Sequence, residues 1–538
     1  MNRSAPSLAA VVAVIVVSTV ATGAPQRRSG TRVGAAPRAT RDFVVSPGGP
    51  YRTIASAVAA ATAGARVVVR PGTYKESLVI ERPVTIVGEG ARSDIVIEST
   101  DVDAMVVTSD LAVVRGLTLR VSGSSSTPDC YGIDVAGGRL SLEQCDVSSE
   151  ALAGVAVHGA GGRLVAIGCR FGDGRAGGVL AYDGGSVELE SCDVASNALA
   201  GIEVADAGRV SARRTRIHDG GASGAFVHSG GVLDVEDCEI FRNAFSGFEV
   251  RDRGAVTARR TRLYDNARSG VTVTKSATAM LDDIDVMRNK LAGVEISDAG
   301  LVAVRRSRIS DGAQQGVLAT RGGTGTIDDS DVSGNGSAGI EVVDGGSLFV
   351  RWTKIRNGLA AGVLCSKAAG VFEDCDIAAN ALAGADIRAG STPVFRRCRF
   401  RDGQTSGVFA SDRSEALFDD CDIAANALSG LEIKSGANPL IRRTKVRDNK
   451  QGGVFTYEKA LGILEECDVI GNAFAGVEIR DGAAPVVRRC RINRNGYEGV
   501  WVHKGGAGRI EGSNLSGNGR GAWDVETSTT VERIGNIE

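Results

Sequence analysis

The stretch Cys467 to Val500, CDVIGNAFAGVEIRDGAAPVVRRCRINRNGYEGV, decides the fold because it holds one complete repeat and half of the next. Cys467 returns as Cys490, Asn472 as Asn495 and Gly476-Val477 as Gly499-Val500, each 23 residues on. Followed in both directions, the glycine runs from Gly132 to Gly521, and 13 of the 17 intervals between successive glycines are 23 residues, the others 22 or 24. A period this strict marks a solenoid, in which each repeat closes one coil and buries its apolar side chains only by stacking on its neighbours.

The inside of the coil is found by asking which positions never accept a charge. Leu464 and Val487 stand three residues before the cysteine position, Val469 and Ile492 two after it, and Val477 and Ile479 one and three after the glycine. Their equivalents in other repeats are apolar too, so these positions face a common core. The spacing is 2 within each run and breaks between runs, which describes short strands joined at corners. Asn197, Asn243, Asn266, Asn289, Asn335, Asn380, Asn426, Asn449, Asn472 and Asn495, with Gly at most other equivalents, read as a corner that needs a left-handed residue. Coils stacked at ~4.8 Å would make a rod roughly 85 Å long. Gly supplies 72 of 538 residues and aromatics only 4%, which suits a narrow, turn-rich column better than a globule.

Residues 1–24 carry one early Arg, an apolar run from Leu8 to Val20 and small residues at Ala21, Gly23 and Ala24, the pattern of a cleaved secretory signal. No membrane span is expected after its removal. Residues 25–42 are rich in Arg, Gly and Pro and read as a disordered leader. Residues 43–124 read as a cap and the first irregular coils. Within them, Tyr51 to Ala63 places Ile54, Ala57, Val58 and Ala61 at helical spacing, and this short helix should close the first end of the stack. The regular array spans 125–521, and 522–538 forms a last strand and tail.

Nine of the 11 cysteines share one coil position: Cys145, Cys169, Cys192, Cys238, Cys375, Cys398, Cys421, Cys467 and Cys490. Elsewhere that position holds Thr, Ser or Ile, so it asks for a small buried side chain. No CxxC pair and no His at ligand spacing points to a metal. Disulfides between stacked neighbours such as Cys375 and Cys398 are the alternative in an exported chain. The next position alternates without exception: Asp146, Arg170, Asp193, Arg216, Glu239, Arg262, Asp285, Arg308, Asp331, Lys354, Asp376, Arg399, Asp422, Lys445, Asp468, Arg491. The two preceding positions follow, as in Arg488-Arg489 against Glu465-Glu466. Each contact is worth only ~1 kcal/mol, but a slip by one coil would set like charges on like, so the true unit is two coils. The interleaving of 62 basic with 64 acidic residues leaves no basic face for nucleic acid.

One outward row stands apart. Two residues after the glycine, alternate coils carry Glu203, Glu249, Glu295, Glu341, Asp386, Glu432 and Glu478. The coils between carry Phe226, Thr272, Leu318, Leu364, Phe409, Phe455 and Trp501. This stripe is most aromatic towards the C-terminus, and the binding residues it nominates are Glu341, Asp386, Glu432, Glu478, Phe409, Phe455 and Trp501. It reads either as a surface for sugar rings or a partner chain, or as side chains packing on one another along a β-face. His158, His218, His228 and His503 read as scattered surface residues.

The repeats from 438 to 479, NPLIRRTKVRDNKQGGVFTYEKALGILEECDVIGNAFAGVEI, resemble the right-handed parallel β-helix repeats of the pectin-lyase-like superfamily. Their wording is most similar to the β-helix portion of F-box-only adaptor proteins and bacterial relatives. The resemblance implies an all-β fold, a single right-handed parallel β-helix of about 23-residue coils with a short N-terminal capping helix. In that family the cysteine position is usually Asn, forming an amide ladder, whereas here it is mostly Cys or Thr. The opening from 51 to 90 also resembles the start of carbohydrate-active β-helices, including a GxYxE element, Gly72 to Glu76. The Gln and Asp motifs of pectinesterase-like enzymes, the Asp-Asp pair with Gly-His-Gly of polygalacturonase-like enzymes and the Asp-Pro-His of alginate-epimerase-like enzymes do not follow it. No catalytic residue, metal or cofactor is therefore nominated.

The leading expectation is a secreted, periplasmic or cell-surface β-helix that binds a polysaccharide or an extracellular protein along the stripe. The alternatives are a polysaccharide lyase, epimerase or hydrolase with Ca²⁺ held by ladder carboxylates, and a purely structural rod.

Overall fold

A computed structural model describes residues 42–123, 130–527 and 529–538. The signal sequence expected at 1–24 and the leader expected at 25–42, Asp42 excepted, lie outside the described residues. Within them the chain winds through some 21 turns of a parallel β-solenoid with almost no helix.

One turn shows the plan. Leu440–Arg442 belongs to a first sheet, Lys445–Arg447 to a second and Val454–Thr456 to a third. Each pairs in parallel with the strand one repeat on, Ile463–Glu465, Asp468–Ile470 and Val477–Ile479 respectively. Left-handed residues make the corners: Arg443 (φ 49°) before the second sheet, Asp448 (φ 57°) after it, and Glu458 and Lys459 (φ 51° and 58°) after the third. Every strand is therefore short, because the chain must turn three times per coil.

The apolar columns meet inside. Leu464, Val487, Val469, Ile492, Val477 and Ile479 are buried, as are their equivalents along the array. Phe372, Phe395 and Phe418 stack one above another with ring centroids 4.8 and 5.0 Å apart, which is the coil rise written in side chains. Such stacking adds about 1 kcal/mol per pair beyond the area it buries. The periodic glycine is needed for close approach: a Cβ on Gly430 would lie 2.4 Å from Val446 Cγ1 and 2.9 Å from the Gly453 carbonyl oxygen.

The asparagine column corrects the sequence reading. The left-handed residue is the one before each Asn, such as Arg242, Asp265, Asp448 and Arg494, and not the Asn. Each amide points inward and is buried. Asn449 Nδ2 donates to the Ile423 carbonyl (3.3 Å) and to Asn472 Oδ1 (2.9 Å), while its own Oδ1 accepts from Asn426 N (3.1 Å) and Nδ2 (3.0 Å). Asn472, Asn495 and Asn518 continue the chain of amides. The amide ladder is thus present, but at the second corner and not at the cysteine position. A buried corner amide must be satisfied, and a partner one coil away satisfies it without interrupting the strands.

The cysteine position does related work at the first corner. Cys467 Sγ donates to the carbonyls of Glu465 (3.3 Å) and Ile441 (3.4 Å), and Thr444 Oγ1 donates to Arg442 O (3.0 Å) while accepting from Cys421 N (3.3 Å). Cys, Thr and Ser interchange because each offers a small donor to the same backbone oxygen. These nine side chains are unbridged thiols, Cys375 and Cys398 included. Burial pushes Cys145 and Cys238 up to about 11 and Cys421 to about 12, far from the thiolate that reactivity needs.

At the first end the helix Ile54–Ala60 buries Ile54, Ala57 and Val58. Thr53 Oγ1 accepts from Ser56 N (3.2 Å), and the Glu76 carboxylate accepts from the backbone of Ile54 (2.7 Å) and Ala55 (2.8 Å). Anionic oxygens at a helix N-terminus satisfy orphan N–H groups. The GxYxE element is therefore structural: Tyr74 is buried with its hydroxyl on Arg70 O (2.7 Å), and Glu76 holds the cap.

Candidate functional site

The third sheet carries the outward row. Glu341, Leu364, Asp386, Phe409, Glu432, Phe455, Glu478 and Trp501 sit directly above one another in consecutive coils. All seven nominated residues therefore share one ladder. Side chains on neighbouring coils lie ~4.8 Å apart, so like residues recur about every 10 Å.

The row is half-buried, not open as the sequence suggested, because a second outward column leans over it. Asp386 is only 5% exposed and is bound by Arg388 Nε at 2.6 Å. Glu341 accepts from Gln315 Nε2 (2.9 Å), and Glu432 accepts from Ser406 Oγ (2.9 Å) and from the Tyr457 hydroxyl (2.7 Å). Glu478 Oε1 lies 3.1 Å from His503 Nε2. Burial, and then the Glu432 carboxylate, push the Tyr457 phenol up from its ordinary 10.0, so it is a firm donor at neutral pH.

The aromatic rings are framed by the same column. Tyr457 stacks on Phe455 at 4.6 Å with an interplanar angle of 20°, and His503 on Trp501 at 4.1 Å and 11°. Arg480 places its guanidinium over Phe455 at 4.8 Å, and Lys434 Nζ lies 5.7 Å from the rings of both Phe409 and Tyr457. Two clusters of one design result, Glu432 with Phe455, Tyr457 and Arg480, and Glu478 with Trp501 and His503. Among the described residues one earlier copy has its ring on the row: Glu203 lies 3.1 Å from His228, which stacks on Phe226 at 4.3 Å, with Arg251 over that ring at 4.5 Å. Between them the acids are met by serines, as in Ser223 Oγ to Glu249 (2.8 Å) and Ser269 Oγ to Glu295 (3.0 Å).

Lys434, Tyr457, Arg480 and His503 were not nominated from the sequence. Their signal was available, because they stand two residues after the row and so on the same face of the strand. The histidines are correspondingly less scattered than they read. His158, His228 and His503 share this column, and His158 lies 2.9 Å from Asp134 and stacks on Tyr182 at 4.9 Å.

The charge ladder falls as the alternation required. Arg216 pairs with Asp193 (2.8 Å), Arg262 with Glu239 (2.9 Å) and Arg491 with Asp468 (2.5 Å), all half or more exposed on the cationic side. These pairs set register and contribute little stability each. Among the described residues no three His, Cys, Asp or Glu converge as metal ligands, and no helix is long and apolar enough to cross a membrane.

Residues 113–260, 224–355, 350–426 and 387–537 match the family described as right handed beta helix region, and the chain belongs to it. A search of curated proteins found no match. Among solved structures, the periplasmic alginate epimerase AlgG is similar at 14% identity and a TM-score of 0.41, over 58% of this chain and 78% of that one. The pectin methylesterase PemA from Erwinia chrysanthemi is similar at 14% identity and a TM-score of 0.30, over 37% of this chain and 78% of that one.

Proposed function

We propose that this member of the right-handed β-helix family is an exported binding protein that holds an extended polysaccharide along the outer row from Phe409 to His503. The observation that carries the reading is the tandem of aromatic clusters, each with a ring, a carboxylate and a cation or imidazole on one rigid face. Rings stack on the apolar faces of sugars, and a carboxylate accepts from sugar hydroxyls. Glu478 suits the second task, since its Oε2 has no protein donor among the described residues while Oε1 is held by His503. Repetition two coils on, ~10 Å away, lets a polymer engage both clusters at once. Export is supported by the signal pattern of residues 1–24.

The test is a glycan-array titration of the protein beside a variant with Phe409, Phe455 and Trp501 all changed to Ala. The natural protein should retain a polysaccharide that the folded variant does not. Equal retention would move the site away from this row.

A second reading is turnover on the same polymer. It is favoured by Tyr457 against Glu432 at 2.7 Å and His503 against Glu478 at 3.1 Å, which put proton-transferring groups beside the rings. New reducing ends or unsaturated products that vanish in Tyr457→Phe or His503→Gln would establish it, and only this reading calls for Ca²⁺. Neither binding nor turnover on any polymer would leave the structural rod.

A further inference from the structure

Between Arg214 and Arg489 the charge alternation of one corner column has a single break, at a different face of the coil. The corner between the first and second sheets carries Arg260, Asp283, Arg306, Asp329, then Trp352, then Asp374 and Arg397 in consecutive coils. The pattern asks for Arg at 352. The backbone is unchanged there: φ is 47° at Arg306, 46° at Asp329, 52° at Trp352 and 53° at Asp374. A bulky aromatic is an unfavourable choice for that left-handed conformation, so the substitution is not one that the fold itself would select.

The consequence falls on Asp329. Elsewhere the corner acid is held by the Arg of the following coil, as in Asp237 with Arg260 (2.9 Å), Asp374 with Arg397 (2.8 Å) and Glu466 with Arg489 (3.2 Å). At Asp283 and Asp420 the arginine of the following coil is present but pairs with the adjacent strand acid, Asp282 or Asp419. Asp329 has no such neighbour above it. Its exposed carboxylate has no ion-pair partner among the described residues.

Trp352 itself is 55% exposed, in a chain with only three tryptophans. Arg351 lies over one face of its ring at 4.5 Å and is anchored by Asp328 through Nε at 2.5 Å and Nη2 at 3.2 Å. A shallow groove runs from this ring, lined by the acids Asp283, Asp285, Asp329 and Asp331 and by the cations Arg306, Arg308 and Lys354. Within it, Oδ1 of Asp285 is buried with no hydrogen-bond partner. An indole, an unpaired carboxylate and an orphan carboxylate oxygen thus line one surface where the repeat elsewhere places a guanidinium.

We propose that the Trp352 corner is a docking site for an arginine side chain of a basic polypeptide partner, whose guanidinium takes the ladder position that the chain leaves empty beside Asp329. The groove's acids outnumber its cations by one, and Asp329 is without an ion pair among the described residues while Arg306 and Arg308 are held by Asp282 and Asp311, so the charge left over there argues for a cation. Stacking on an indole while donating to a carboxylate argues for guanidinium over ammonium, because its flat, weakly hydrated face can do both.

The experiment follows Trp352 fluorescence in the full chain carrying Trp501→Phe and Trp523→Phe, titrated with short peptides alternating glycine with arginine, lysine or glutamate. The arginine peptide should perturb the emission and bind at least about tenfold more tightly than the lysine peptide. In a calorimetric titration, Asp329→Asn and Trp352→Arg should each weaken it by about tenfold or more. Trp352→Arg restores the ladder and should melt no lower than the natural protein, so its loss of binding cannot be blamed on folding. The proposal is overturned if the arginine peptide fails to bind, if Trp352→Arg binds equally well, or if the lysine or glutamate peptide binds as tightly.

Discussion

The aromatic cluster of the third sheet is built once around Phe226 and twice, two coils apart, around Phe455 and Trp501. Glu203, Phe226, His228 and Arg251 reproduce Glu432, Phe455, Tyr457 and Arg480 nearly group for group. Backbone, register and coil rise are the same in both regions. The difference is what stands next: Thr272 and Leu318 follow the single cluster, while a second cluster follows the other. On a rigid ladder, identical geometry yields a polymer site only where it recurs within reach of one chain of sugars. The single cluster serves as the internal control for the tandem.

The comparison is broken hardest through the coil beneath it. Asn449→Ala, under the tandem, removes a buried amide that serves four hydrogen bonds and should cost about 3–5 kcal/mol in urea unfolding. Asn266→Ala, under the plain stretch, disrupts an equivalent set and should cost as much. Only the first should also weaken polysaccharide binding. Next in size, Phe455→Ala with Trp501→Ala should weaken binding by about 100-fold, roughly 3 kcal/mol, whereas Phe226→Ala should change it less than about threefold.

How much of this was legible from the chain alone can be judged residue by residue. The glycine and cysteine columns revealed the solenoid, since every inward position repeats and none tolerates charge. The asparagines misled, because Asn is both a common left-handed residue and a buried ladder amide, and only the coil above distinguishes the two. The left-handed residue before it, Ser196 or Arg242 or Asp265, carries no compositional mark. Likewise Phe455 and Trp501 could be found by alternation, but Tyr457 and His503 reach back one coil to Glu432 and Glu478, and a column of letters does not say in which direction a side chain leans. Trp352 was visible as a departure from the charge alternation, yet its meaning depended on finding Asp329 without a partner.

Two smaller effects sharpen the comparison by pH. The Tyr457 phenol is raised above 10.0, so its bond to Glu432 contributes fully below pH 10 and is lost as pH rises through the higher folded value. Tyr457→Phe should therefore be less stable at neutral pH and lose less on alkaline melting. In the coil that leads to the single cluster, the bidentate Arg242 beside Asp219 holds its carboxyl down at about 2, below the ordinary 3.8. That contribution is present above about pH 4 and fades towards pH 2, so Asp219→Asn should flatten this part of the acid limb, by the smallest margin of the set.

The most direct measurement keeps Trp501 as the only tryptophan, through Trp352→Phe and Trp523→Phe, and follows its emission while polysaccharides are titrated in. The account predicts a saturable change with one class of polymer, abolished by Phe455→Ala and untouched by Phe226→Ala. A polymer that binds with no change at Trp501, or that Phe226→Ala releases as readily as Phe455→Ala, would contradict it.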